Sequence, residues 1–309
     1  MRPMQRTTRA AAGVLFCAVL AVARAGAQDM EPKAYAASPT GANFFVGAYS
    51  WSSGAVVFDP TLPLTDVRAK VQGFVGAVGH SFGLFGDTAL ISVALPYAFA
   101  DVTGKIQEQA ASTARSGLAD ARIRLSVNLR GNPAMSVREF VKRPRQTIVG
   151  TSVTVSAPAG QYYPGKLINL GNNRWAFKPE VGISVPIRRL DADAYVGAWF
   201  FTSNDNFYPG GNPRTQSPLV AVQGHLSYSF QPRLWVAADG TWYSGGQARV
   251  ADGDPSTTVN NSRLGVTASL PVGSRYSFKV AYGSGFIVRT GTNFSTVAVA
   301  MQALWLTRR

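Results

Sequence analysis

The chain has 309 residues, 30 Lys and Arg against 16 Asp and Glu, a formal net charge of +14, and one cysteine. Cys17 lies in the N-terminal leader, so the exported chain has no thiol, which excludes disulfides, thiolate catalysis and cysteine-bound metal. The basic residues are scattered rather than massed on one segment, and that pattern, in an exported chain, excludes a nucleic-acid partner.

The N-terminus, "MRPMQRTTRAAAGVLFCAVLAVARAGA", carries Arg2, Arg6 and Arg9, an apolar run over 10–23, and the small-residue site Ala25-Gly26-Ala27. This is the pattern of a secretory signal peptide, 1–27, cleaved before Gln28. The apolar run is shorter than the roughly 20 residues of a spanning helix, and "VLF" before Cys17 is not a lipoprotein box. Cleavage removes four arginines and no acid, leaving 26 basic against 16 acidic side chains. Residues 28–42 are expected to form a periplasmic N-terminal segment, and 43–309 a single domain, because no Pro/Ser linker or composition shift divides them.

From Asn43 onward the hydrophobic period is two, and no long window repeats at i, i+3, i+4, i+7. The chain is therefore expected to be all-β. Twelve strands are predicted near 43–51, 67–80, 88–101, 117–129, 147–158, 174–186, 193–203, 217–230, 233–243, 261–271, 274–286 and 294–306. In the second, Val67, Ala69, Val71 and Val75 oppose Arg68, Lys70, Gln72 and His80. In the fourth, Ala121, Ile123, Leu125, Val127 and Leu129 oppose Asp120, Arg122, Arg124, Ser126 and Asn128. In the tenth, Leu264, Val266, Ala268 and Leu270 oppose Arg263, Thr267 and Ser269.

A secreted β-sandwich shows the same alternation, so the connections arbitrate. Short turns at "FGLFGD", "IRRLDA", "FQPR" and "VGSR" interleave with longer Gly/Asn/Ser-rich loops at 52–66, 104–116, 159–173, 204–216 and 244–259. One connection of the short series, 130–146, is long and basic. An even number of strands joined this way is the pattern of an outer-membrane β-barrel, whose closure leaves no backbone group unpaired in lipid. Aromatic residues gather near the strand ends, as interfacial girdles require: Tyr49, Trp51, Tyr97, Phe99, Trp175, Phe177, Trp199, Phe201 and Trp242 at one rim, Phe82, Phe85, Phe230, Trp235, Tyr276 and Phe278 at the other.

The stretches "SVTVSAPAGQYYPGKLINLGNNRWAFKPEVGISVP", "AWFFTSNDNFYPGG", "RLWVAADGTWYSGG" and "NSRLGVTASLPV" resemble the bacterial family named for a MetA pathway of phenol degradation, often called simply "transporter". The resemblance covers most of the mature chain and is densest from Gly150 on. It implies an outer-membrane barrel that takes up small, often aromatic, compounds. The chain departs from the usual outer-membrane ending: it finishes "ALWLTRR", leaving Trp305 as the terminal aromatic signal.

If the N-terminus is periplasmic, 159–173 is an extracellular loop. Its Tyr162, Tyr163, Leu167 and Leu170, with Trp175 just beyond it, form a candidate gate folded into the barrel mouth; the alternative is a surface loop with Trp175 and Phe177 in the girdle. The candidate lumen residues are Arg68, Lys70, Asp120, Arg122, Arg124, Lys178, Glu180, His225, Asp239, Arg263 and Lys279. Their basic excess in the outer half predicts a positively charged vestibule for anions such as aromatic carboxylates, against the alternative of ion-pair ladders that brace the barrel.

Catalysis is not expected. His80 and His225 are the only imidazoles, both in polar, lumen-facing registers, and Ser227 and Ser229 beside His225 have no carboxylate spacing that completes a triad. No zinc, phosphate-loop or dinucleotide motif is present, "DGDPS" at 252–256 reads as an exposed acidic turn, and no metal or cofactor is expected. The partners expected are outer-membrane lipid, the barrel-assembly machinery and a small solute. The function expected is an outer-membrane channel, with a plugged structural or adhesive barrel as the alternative and a barrel hydrolase behind both.

Overall fold

The computed structural model describes residues 30–57, 64–106, 108–289 and 291–307. The signal peptide expected over 1–27 lies outside them. The elements are β1 (Ala42–Val57), β2 (Leu64–Leu84), β3 (Asp87–Ile106), β4 (Gln109–Leu118), β5 (Ala121–Arg130), α1 (Val137–Lys142), β6 (Ile148–Ala157), β7 (Ala176–Ile187), β8 (Leu190–Phe201), β9 (Asn204–Phe207), β10 (Asn212–Gln216), β11 (Leu219–Gln231), β12 (Leu234–Gly245), β13 (Ala248–Val250), β14 (Val259–Val272), β15 (Tyr276–Ile287) and β16 (Gly291–Leu306).

Twelve of these strands close on themselves. The ladder runs β1-β2-β3-β5-β6-β7-β8-β11-β12-β14-β15-β16 and returns to β1, every pair antiparallel. The closing pair is fully in register from Ala42↔Leu306 to Val57↔Gly291. Each barrel strand falls on one of the twelve predicted segments. The remaining strands occupy stretches expected as loops. β4 pairs the distal half of β3, from Tyr97↔Leu118 to Ile106↔Gln109, and β5 then pairs the proximal half, from Ala89↔Val127 to Ala94↔Arg122. The predicted strand 117–129 is thus the end of β4 and most of β5, with a break at Ala119 and Asp120. Strands β9, β10 and β13 make a small separate sheet over the long-loop end.

Alternation decides the two faces. Leu125 is 39% exposed and Ser126 6%, the outside and inside of one strand. Ile91, Leu95, Val181, Ile183, Leu226, Val266 and Val299 are exposed on the outer face, an apolar band that water would not tolerate and lipid favours. Aromatic rings flank it in contact: Tyr49 and Phe74 at 5.0 Å, Tyr97 and Phe99 at 5.2 Å, Trp175 and Phe177 at 6.4 Å, Tyr228 and Phe230 at 5.0 Å.

Some expected orientations are reversed. Arg68 and Lys70 are exposed on the outer face, in register with Phe74 and Val78, while Val67, Ala69 and Val71 turn inward and are buried. His80 is on the same outward register, bonded through Nδ1 to Asn43 Oδ1 at 2.8 Å and stacked on Phe82. The physical reason is that β2 runs beyond the apolar band, where the outside is wet and tolerates charge, whereas the inside there is a dry cluster. That cluster is Val56, Val67, Ala69, Val71, Ala100, Val102, Phe294 and, from the 158–175 loop, Leu170. Trp199 and Trp235, expected in the girdles, are inward and 7% exposed. They share the inward register of their strands with Tyr195 and Asp193 on β8 and with Ala237 and Asp239 on β12.

Candidate functional site

The lumen has two unlike walls. On β1, β2, β3 and β16 the inward positions hold small or apolar residues, among them Ala48, Ser50, Val75, Ala77, Ser92, Ala94, Ala298 and Ala300. On β5 to β8, β11 and β12 they hold Arg124, Ser152, Thr154, Lys178, Glu180, Asp191, Asp193, Tyr195, Gln223, His225 and Asp239, buried apart from Arg124, which is partly so.

The polar wall is cross-braced around Glu180. Its Oε1 accepts from Tyr35 Oη at 3.0 Å and Arg124 Nη2 at 3.4 Å; its Oε2 accepts from Lys178 Nζ at 3.0 Å and Gln223 Nε2 at 3.2 Å. A buried carboxylate needs such a set of donors, since an uncompensated charge in this setting costs several kcal/mol, about 3–5 on loss of a partner. Nearer the short turns, His225 Nδ1 meets Asp239 Oδ1 at 2.7 Å, and Thr267 donates to Asp239 Oδ2 at 2.6 Å. Lys279, also inward, lies 5.9 Å from the Trp235 ring centre.

The N-terminal segment, expected in the periplasm, runs through this space. Gly41 and Thr40 are tied at the short-turn end to Ser81 and Met135 carbonyls. Tyr35 is 1% exposed, with its ring edge-on to Tyr195 at 5.2 Å and the Arg124 guanidinium 5.2 Å above it. Its ring fits because Gly150 and Gly182 face it: a Cβ at either would come within 2.3 Å and 2.5 Å of Tyr35 atoms. Lys33 donates its backbone N–H to Asp193 at 3.1 Å and pairs through Nζ with Asp191; Glu31 pairs with Arg124 at 3.3 Å. The segment then crosses to the opposite side, where Met30 occupies the space of the missing side chain of Gly283. It forms a bar across the lumen, bound mainly to the polar wall.

Beside the bar the apolar wall is left uncovered. A cavity of about 240 Å³ lies there, lined by Met30, Ala48, Ser50, Val75, Thr267, Thr296 and Ala298 among others. Toward the long loops a second cavity, of about 150 Å³, is bounded by Arg122, Arg174 and Arg263, by Asp120, and by Trp199, Phe201 and Tyr243.

The 158–175 loop roofs this end. Both Asp120 oxygens hold it: Oδ1 accepts from Gly160 N at 3.1 Å, Oδ2 from Asn172 N at 2.9 Å and Asn172 Nδ2 at 2.7 Å. Leu170 and Ile168 insert into the dry cluster, and Leu167 is half-buried. Tyr162 donates to Asn206 O at 3.1 Å and accepts from Asn204 at 2.9 Å, tying the loop to the small sheet; its burial pushes the phenol pKa up and keeps it a donor. Tyr163 and Trp175 are exposed, Trp175 on the outer face with Phe177.

Of the sequence-predicted lumen residues, then, Arg122, Arg124, Lys178, Glu180, His225, Asp239, Arg263 and Lys279 face inward, Asp120 sits at the vestibule rim, and Arg68 and Lys70 face outward. Sequence reasoning missed Glu31, Lys33, Tyr35, Asp191, Asp193, Tyr195 and Arg174. The available signal was a pair of glycines, Gly150 and Gly182, at inward positions of adjacent strands, where the space is taken by the inserted Tyr35 ring and, at Gly182, also by Tyr195.

A closed antiparallel barrel with an apolar outer band, aromatic flanks and a charged interior is a bacterial outer-membrane β-barrel. The chain belongs to the family described as "Putative MetA-pathway of phenol degradation", which matches residues 36–301. An outer membrane channel from Pseudomonas putida F1 has the same fold, with a TM-score of 0.75 at 19% identity over 90% of this chain and 100% of that one. The transport unit of the autotransporter AIDA-I from Escherichia coli aligns with a TM-score of 0.51 at 8% identity, over 92% of this chain and 94% of that one. No curated protein sequence matches the chain.

Proposed function

We propose that this protein is an outer-membrane channel through which small amphipathic solutes, aromatic compounds among them, pass along the apolar wall of the lumen. The observation that carries this reading is the division of the lumen: the N-terminal bar is anchored to the polar wall by Tyr35, Lys33 and Glu31, and the 240 Å³ cavity remains against the apolar one. An apolar track with one charged side suits a solute with a ring and a polar end. The family description, which names phenol degradation, and the channel name of the Pseudomonas putida relative agree with this reading. In it, Leu167, Leu170, Tyr162 and Tyr163 belong to a roof that narrows the outer mouth, and Trp175 to the membrane girdle.

Single-channel recording in planar bilayers tests the proposal. The intact protein gives a small conductance, and a variant lacking residues 30–37 a several-fold larger one. Silence from both, in barrels whose heat-modifiable migration shows folding, overturns it in favour of a sealed structural barrel.

A further inference from the structure

We infer that the short-turn rim between β5 and β15 is a docking surface for anionic phospholipid headgroups. The short turns mark the periplasmic end of an outer-membrane barrel, where the rim meets the inner leaflet. Four consecutive connections of the closed sheet lie there, and each places arginine just past the last lipid-facing side chain. Arg130 follows Leu129, Arg188 and Arg189 follow Ile187, Arg233 comes shortly after Phe230, and Arg275 directly precedes Tyr276. Leu129, Ile187, Phe230 and Tyr276 are exposed on the outer face. At about 3.3 Å per strand residue, the arginines stand roughly 3–10 Å beyond the apolar band, which is the depth of lipid headgroups.

The turns that carry them are fixed to their neighbours. The Arg188 carbonyl accepts from Arg145 Nη1 at 2.6 Å, the Arg189 carbonyl from Ser229 N at 2.8 Å, and the Arg275 carbonyl from Leu304 N at 2.9 Å. Arg233 reaches the next turn, donating to the carbonyls of Ser274, at 2.6 Å, and Tyr276. Arg188 and Arg233 also hold left-handed backbone, at φ 56° and 66°, which glycine or asparagine adopts with less strain, so what favours arginine there is its side chain.

Among the described residues, none of these five arginines forms an ion pair, whereas two acids of the same end are engaged elsewhere: Asp191 by Lys33 and Arg145, and Glu139 by the Ser136 cap of α1. The opposite rim is built differently, since on its outer face Lys105 pairs with Asp66 at 2.8 Å and Lys70 stands across the ladder from Asp101. A guanidinium offers parallel N–H donors to phosphate oxygens, and basic side chains beside a membrane are drawn to anionic lipid. The apolar neighbours favour a lipid over an acidic soluble protein, because acyl chains cover Ile187, Phe230 and Tyr276 where a soluble partner would have to stand. The surface is independent of whether the barrel conducts.

Spin-labelled lipids read by electron paramagnetic resonance test it on the whole folded protein in phosphatidylcholine vesicles. Spin-labelled phosphatidylglycerol is expected to associate with the barrel about twofold or more over spin-labelled phosphatidylcholine at low salt, a preference lost at about 1 M salt, where charges are screened within about 3 Å. Combining Arg188→Gln, Arg189→Gln and Arg275→Gln should remove most of the preference, while Arg68→Gln with Lys70→Gln, at the other rim, should leave it. Among the described residues the side chains of Arg188, Arg189 and Arg275 make no hydrogen bond, so the triple variant should keep heat-modifiable migration. No preference in the wild type, a preference that survives high salt, or one unmoved by the triple variant overturns the inference; the first two need no variant at all. Equal loss from both sets of substitutions overturns it as well, because the preference then belongs to total charge rather than to this rim. A wild-type barrel that ignores phosphatidylglycerol but binds soluble polyglutamate through the same arginines overturns the lipid in favour of an acidic soluble partner.

Discussion

The wall formed by β1, β2, β3 and β16 and the wall formed by β5 to β8, β11 and β12 belong to one continuous sheet, with the same outer band and the same alternation, yet they line the lumen with opposite chemistry. On the first, Ala48, Val75, Ala94 and Ala298 face inward; on the second, Lys178, Glu180, Asp193 and His225 do. The difference teaches how a barrel of this size is filled. Its interior is too wide for its own side chains to close everywhere, so one wall receives an inserted segment through charged and hydroxyl partners, and the other stays small and dry. In the proposed channel, covering only one of them leaves an amphipathic passage.

Substitutions can break or sharpen this contrast. The largest effect is expected at the centre of the polar wall: Glu180→Leu removes the acceptor shared by Arg124, Lys178, Gln223 and the Tyr35 hydroxyl and should cost about 3–5 kcal/mol in denaturant unfolding, read as loss of heat-modifiable migration. Unchanged stability there would mean that the ion pairs do no more than fill space.

Next, a charge placed on each side of the sheet separates outside from inside. Leu125→Arg, on the lipid face, should cost about 2–4 kcal/mol. Ala298→Arg enters the cavity beside Met30 and should fold while lowering conductance and solute flux about tenfold, since the added head spans the remaining gap. Equal folding damage from both would refute the assigned register.

Smaller still is Gly150→Ala, whose Cβ would stand 2.3 Å from the Tyr35 ring. Overpacking of this kind costs about 1–3 kcal/mol, and the strain is relieved by expelling the bar, so conductance should rise toward that of the variant lacking residues 30–37. A conductance unaltered from wild type, in a folded barrel, would show that the bar does not obstruct the passage. The smallest effect is expected for Tyr35→Phe, which removes the hydroxyl bonded to Ser152 and Glu180 but keeps the ring in place. About 1 kcal/mol of stability should be lost, with more frequent openings in single-channel records.

How much of this was legible beforehand follows from where the information lies. The twelve barrel strands are local patterns, because period two over about ten residues needs nothing beyond the strand itself. The lumen positions on β5, β7, β11, β12 and β14 were legible for the same reason: charge alternates there with apolar residues that must meet lipid. Arg68 and Lys70 were misplaced because alternation gives two faces without saying which is inside. Above the membrane band the outer face is solvated, and charge ceases to mark the lumen. The 104–116 stretch has the composition of a loop although it contains most of β4, because its pairing partner, the distal part of β3, continues past the length that a membrane requires. Leu170 and Tyr162 were singled out as apolar residues in a loop, but whether they pack into the mouth depends on partners distant in the chain, Val67 and Val71 for Leu170 and Asn204 and Asn206 for Tyr162.

The amino-acid sequence by itself determined the all-β class, the number of barrel strands, the lipid-facing band and the charged inward positions of β5, β7, β11 and β12, all of which are set by neighbours two residues apart. Only the tertiary structure decided that residues 30–41 lie across the lumen, that Glu180 gathers Tyr35, Arg124, Lys178 and Gln223, and that Arg122, Arg174 and Arg263 surround one cavity. Those groups are distant in the chain, Tyr35 and Glu180 by 145 residues and Lys33 and Asp193 by 160, and they meet only when β1 and β16 pair and the sheet closes into a tube.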